Sequence, residues 1–149
     1  MELKITISDK KGIMKAFQKA PAVAQREFNA SLERTAATVV NYAQHNAPSK
    51  NGDLRRSISY RRTATGFLVG VGAKYGIYVD QGTKAHTIYP RKAKVLAFQK
   101  DGKWVFAKKI NHPGTKATHF FTDAVEDGQT YANAEMKRAV AKVIKYITG

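Results

Sequence analysis

Four histidines, His45, His86, His112 and His119, are the side chains best suited to hold a metal or move a proton, and their spacing argues against both. No two of them form a His-x-x-x-His pair with a Glu between, and none has a carboxylate directly beside it, so surface or hydrogen-bonded roles are expected. Asp80 and Asp101 are the only acids between Asp53 and Asp123. A two-carboxylate nuclease or glycosidase would need the fold to bring them together. Ser49, Ser57 and Ser59 lack the Gly-x-Ser-x-Gly elbow that exposes a nucleophile. The chain has no Cys, which removes disulfides, thiolate metal sites and thiol nucleophiles. Glycines 70, 72, 76 and 82 fit neither phosphate-cradling pattern, and Gly70 and Gly72 are expected to mark a bulge or close backbone approach in a strand. These residues point to a protein that is not an enzyme and takes no cofactor and no metal.

Charge is the stronger signal. Residues 50–116 hold fifteen Lys or Arg against three acids, so most of the net +15 lies in the middle of the 149 residues. Lys50, Arg55, Arg56, Arg61, Arg62, Lys84, Arg91, Lys92 and Lys94 are the candidate contact residues, expected on loops or strand edges. Two partners fit them. DNA could be met through its phosphates without reading sequence. An acidic protein surface could be gripped by paired Arg hydrogen bonds. The protein partner is slightly favoured.

The elements that must carry these residues follow from hydrophobic period. Leu3, Ile5 and Ile7 alternate as in a strand, and Ser8 or Asp9 offers a cap for a short helix bearing Ile13, Met14 and Phe17. Pro21 suits the first position of a long helix striped by Phe28, Leu32, Thr35, Val39, Tyr42 and Ala43, which Ala47-Pro48 ends. Residues 49–57 read as a mobile polar connector. The period then changes to two, with strands expected at 58–61, 67–71, 75–79, 87–89, 95–98 and 104–107, joined as an antiparallel meander. Asp101-Gly102 is the clearest hairpin turn. Aromatics in these strands are expected to pack across the sheet under the helices. A helical period returns from about Thr118, with Phe121, Val125, Met136, Val140, Val143 and Ile147 apolar, and Gly128 is expected to kink or split it. The expected fold is a single α+β domain over residues 1–149: an antiparallel β-sheet of short strands, with an N-terminal long helix and a C-terminal helix packed on one face.

With 43% hydrophobic residues and no apolar run approaching the roughly 18 a membrane span needs, no membrane anchor is expected. The Met1–Ile5 start lacks a basic, then apolar, secretory pattern, which predicts synthesis in a cytoplasm.

Two motifs have no catalytic logic: Tyr75-Gly76-Ile77-Tyr78-Val79-Asp80-Gln81-Gly82-Thr83, and His112-Pro113-Gly114-Thr115-Lys116-Ala117. The first reads as a strand ended at Gly82-Thr83. The second reads as a tight turn followed by Thr118 as the cap of a helix opening with Phe120-Phe121. With Ala47-Pro48, Gly52-Asp53-Leu54-Arg55-Arg56-Ser57-Ile58, Leu96-Ala97-Phe98 and Ala124, the ordered set over roughly residues 40 to 127 resembles the tail-completion, or head–tail joining, family of long-tailed bacteriophages. Two positions depart from that pattern: the acid before the Gly-Thr turn is displaced to Asp80, and His119 stands where a Pro often precedes the Phe pair. Gly52, Leu54, Tyr75, Tyr78, Gly82, Thr83, His112, Pro113, Gly114, Phe120 and Phe121 are the motif residues expected to be structural. The resemblance implies a virion protein of the neck, assembled in the bacterial host cytoplasm as a ring of identical copies, hexameric in the virion. Its implied neighbours are head-completion and tail-terminator or tail-tube proteins, with genome DNA possible in the lumen. The rival reading is a stand-alone basic protein that binds nucleic acid without sequence preference.

Overall fold

The computed structural model describes residues 2–4, 11, 14, 18 and 20–148. Strand β1 (Glu2–Lys4) falls where alternation predicts it, while Ile5, Ile7, Ser8, Asp9, Ile13 and Phe17 lie outside the described residues. Lys11, Met14 and Gln18 are helical and exposed.

Helix α1 (Pro21–Asn46) starts and stops as its residues dictate. Pro21 has no N–H to leave unpaired in the first turn, and at the other end the Ala47 N–H donates to the Ala43 carbonyl before Pro48 breaks the ladder. Ala24, Phe28, Ser31, Thr35, Val39 and Ala43, three or four residues apart, form its buried face. Tyr42, expected on that stripe, is exposed instead.

The last helix, α4 (Phe120–Thr148), lies antiparallel on α1. Cross-helix contacts fix the register: Glu27 with Lys142 at 3.4 Å, Arg34 with Glu135 at 2.5 Å, and Val39 against Gly128. The expected kink or split at Gly128 does not occur, and α4 is one continuous helix. A Cβ at 128 would overlap the Val39 side chain, so this glycine lets the two backbones approach closely. Glu135 is buried between Arg34 and Arg138, accepting from both at 2.5 and 2.7 Å. Burial pushes its carboxyl up, but the hydrogen bonds and charges of the two guanidinium groups outweigh that and hold it below the usual range.

Between these helices, residues 49–57 are anchored rather than loose. Asp53–Arg56 forms a helical turn, α2, whose Leu54 is buried in the core, while the Arg55 Nε–H donates to the Ala47 carbonyl at 2.9 Å. Strands β2 (Ile58–Thr63) and β3 (Gly66–Val71) follow, and β1 adds to the far side of β3, giving an antiparallel sheet in the order β1-β3-β2. Its inner residues Ile58 and Val69 join Val39, Val40, Ala43, Leu54, Phe120 and Phe121 in the larger cluster. Ala24, Phe28, Met136, Ala139 and Val143 form a second cluster along the helix pair.

The α+β reading is met, with the C-terminal helix lying mainly on the N-terminal one. The strands do not form one meander: β4 (His86–Ile88) pairs with β7 (Ile110–His112), and β5 (Leu96–Lys100) pairs with β6 (Lys103–Ala107), as two further small sheets. Of residues 75–79, expected as a strand, Tyr75 precedes, and the rest lie in, a short helix, α3 (Gly76–Gln81). A strand would turn alternate residues to opposite faces, whereas one helical turn places Gly76 and Asp80 together on the buried side. Gly76 is needed there, because a Cβ would come within 2.6 Å of the Val71 side chain.

Candidate functional site

The two motifs singled out in the sequence meet. Thr83 and Thr115 form an antiparallel bridge in which each N–H donates to the other's carbonyl, at 2.9 and 3.1 Å. Gly82 and Gly114 flank it with φ of 72° and 95°, a region that L side chains rarely adopt. Each also presses its Cα against the opposite backbone: a Cβ at Gly82 would stand 2.5 Å from the Thr115 carbonyl oxygen, and one at Gly114 would overlap that of Thr83. The two segments therefore interlock.

Asp80 locks this junction to α4. It is fully buried, and its Oδ1 accepts the N–H of Phe121 at 2.8 Å and of Thr122 at 3.3 Å, while its Oδ2 accepts the Thr122 hydroxyl at 2.7 Å. The Asp80 carbonyl accepts from Thr118 and His119. Asp80 thus caps α4 from forty residues upstream in sequence, with a negative charge at the positive end of the helix dipole. Thr118, expected to be the cap, instead donates its hydroxyl to the Val79 carbonyl. His119, where a Pro was noted as common, takes a positive φ of 52° that Pro cannot adopt. Phe120 and Phe121, packed edge to face with centroids 6.4 Å apart, carry the junction into the core.

From this base an arm extends. Beyond the Thr83–Thr115 bridge come the β4–β7 pairs His86 with His112 and Ile88 with Ile110, and then the β5–β6 hairpin from Leu96–Ala107 to Lys100–Lys103. Asp101 and Gly102 close it with φ of 51° and 75°, as their pairing in sequence implies. The His86 and His112 rings lie 5.2 Å apart, and the Thr87 hydroxyl donates to Asn111 Oδ1 at 3.0 Å. No residue of 83–115 belongs to either hydrophobic cluster. Most of its aromatics are accordingly exposed, Trp104 at 63% and Phe106 at 66%, with Tyr89 similar, while Phe98 is half-buried. The expectation that sheet aromatics pack under the helices fails here because no helix covers these strands; in the body Tyr60 does pack edge-on against Phe67, centroids 5.8 Å apart. Tyr75, Ile77 and Tyr78 form a second exposed apolar group on the outer side of α3.

The basic candidates separate into kinds. Lys84, Arg91, Lys92 and Lys94 lie on the arm and are exposed. Lys100, Lys103, Lys108 and Lys109, which were not singled out from sequence, join them, against one acid, Asp101. Their common factor is strand pairing, of 86–88 with 110–112 and of 96–100 with 103–107, which gathers them on one arm. Arg61 and Arg62 lie within β2, an edge strand, where alternation sends them to opposite faces. Arg55 and Arg56 hold local structure, the latter donating to Asn51 O and Asp53 Oδ1, and Lys50 is exposed beside them. Asp80 and Asp101, the pair a nuclease would have needed, are far apart in role: one is buried under α4, the other exposed at the arm's tip. Among the described residues no group of three or more His, Cys, Asp or Glu could hold a metal, and no helix is long and apolar enough to cross a membrane.

No curated protein and no solved structure matches the chain. A family model does, over residues 11–82, just under half of the chain, from the residues before α1 through α2, β2 and β3 to the end of α3. That stretch contains the Tyr75–Thr83 motif up to Gly82 and the carboxylate that caps α4; the family is described as "Bacteriophage HK97-gp10, putative tail-component", so over these residues the chain is similar to a family of phage tail components.

Proposed function

We propose that this tail component acts in tail completion, joining head to tail at the neck as a ring of identical copies and performing no catalysis. The observation that carries the reading is the contrast between a rigid base and an uncovered arm. The Gly82–Gly114 interlock and the Asp80 cap hold the strands at a fixed exit from the core, while the arm itself presents aromatics and basic side chains to the outside. Exposed Trp, Tyr and Arg on a rigid support are the usual anchors of a protein interface. A joining protein needs such surfaces toward both neighbours, the head-completion protein on one side and the tail-terminator or tail-tube protein on the other. Assembly of the virion in the host cytoplasm belongs to the same reading.

The test is electron microscopy of lysates from a phage lacking this gene. Separate DNA-filled heads and finished-length tails are expected; normal virions would discard the reading. The excess of fifteen basic residues over three acids in residues 50–116 favours one alternative, sequence-independent binding of nucleic acid. Steeply salt-dependent duplex binding together with normal virion assembly would select it.

A further inference from the structure

We infer that the arm of one copy docks on the acidic opening turns of α4 in the next copy, making the head-to-tail contact of the ring; this rests on the ring proposed above. An antiparallel pair standing alone in water is marginal. This one also places Lys100 directly opposite Lys103, a like-charged cross-strand pair that weakens the hairpin unless a counter-charge lies outside it. With Trp104 and Phe106 exposed on the same hairpin, the arm is short of both apolar cover and negative charge.

Among the described residues, one surface gathers several acids that can supply the charge; Glu33 stands singly on α1 and Asp101 on the arm itself. Glu27, Asp53 and Glu135 are paired within the molecule, and Asp80 is consumed as a cap. Asp123, Glu126 and Asp127 are exposed and, among the described residues, in no ion pair, side by side on α4. Positions 129, 130 and 131 are Gln, Thr and Tyr, so no Lys or Arg stands three or four residues on to neutralise them. Asp123 is instead three and four residues from two further acids, an arrangement that mildly destabilises a helix. The helix dipole accounts for an acid in the first turn, Asp123, and fades before Glu126 and Asp127. Two complementary defects on different surfaces of one chain form a heterologous contact, the kind that closes a ring when repeated. DNA is the weaker occupant, because it would neutralise the arm and leave the acidic turns as they are.

Sedimentation velocity of the full chain, across concentration and salt, tests the contact with two charge reversals, Lys100→Glu with Lys103→Glu and Glu126→Lys with Asp127→Lys. The wild type is expected to associate, and each variant to associate about tenfold more weakly through like-charge opposition. An equimolar mixture of the two variants is expected to recover association, since each arm then meets an opposite surface. Equal thermal unfolding by far-UV circular dichroism checks that both variants fold. Association of the wild type and both variants alike would overturn the contact and leave the ring standing. A wild type that stays monomeric throughout, or a mixture that fails to recover, would also overturn it, and the deletion phenotype would still decide the joining role independently. Loss of duplex-DNA binding by the arm variant with unchanged association would assign the arm to nucleic acid instead.

Discussion

Asp80→Ala should be among the most damaging single changes outside the apolar core, and the structure sets its size. The substitution removes the acceptor of two backbone N–H groups and one hydroxyl. A buried donor left unpaired costs about 1–3 kcal/mol. The Phe121 N–H is buried and takes that cost, whereas Thr122 is half-buried and water recovers part of its loss. Against this, the variant no longer has to desolvate a carboxylate, which offsets some of the damage. The net expectation is a loss of about 2–3 kcal/mol, at or above the upper end for helix caps. Asp80→Asn keeps a carbonyl oxygen for the two N–H groups and loses mainly the charge at the helix N-terminus, about 1 kcal/mol. Urea unfolding separates the two. It has to be followed by far-UV circular dichroism, because the single Trp, Trp104, sits on the arm and is insensitive to the core. Midpoints should fall in the order wild type, Asn, Ala, with slopes unchanged. An Ala variant within about 0.5 kcal/mol of wild type, or an Asn variant as unstable as Ala, would refute the capping role.

Two further outcomes follow from the helix pair. Gly128→Ala would stabilise an isolated helix by about 1 kcal/mol, yet here it must displace Val39 at an overpacking cost of about 1–3 kcal/mol, so the variant should unfold at lower urea than wild type; a stabilised variant would show that the helices can part without loss. Glu135 has a folded-state pKa below its ordinary value, so its contribution is present above the ordinary carboxylate range and is lost as pH falls through the lowered value. Stability should therefore decline more steeply between about pH 5 and pH 3 in wild type than in Glu135→Gln, and parallel profiles would remove the ion-pair explanation.

Long-period features were legible in the chain. Pro21 and Ala47-Pro48 bounded α1, the helical recurrence of Phe28, Thr35, Val39 and Ala43 marked its buried face, and Asp101-Gly102 set the hairpin. The signals that misled were local ones with two physical solutions. Ile77, Tyr78 and Val79 have strand propensity, but the core needed Gly76 and Asp80 on one side, and a helical turn supplies that. Gly128 weakens a helix taken alone and strengthens this one only because Val39 lies across from it.

The sequence by itself determined the two long helices with a region of short strands between them, the excess of positive charge in residues 50–116, the absence of thiol chemistry and the two motifs, because each depends on residue type and near-neighbour spacing. Only the tertiary structure decided that the motifs are the two halves of one interlocked base, that Asp80 is the cap of a helix forty residues away, and that residues 83–115 stand outside the core. Those facts rest on contacts between residues distant in the chain, set by how closely two backbones can approach and which polar groups burial leaves to be paired, and no period or local propensity encodes them.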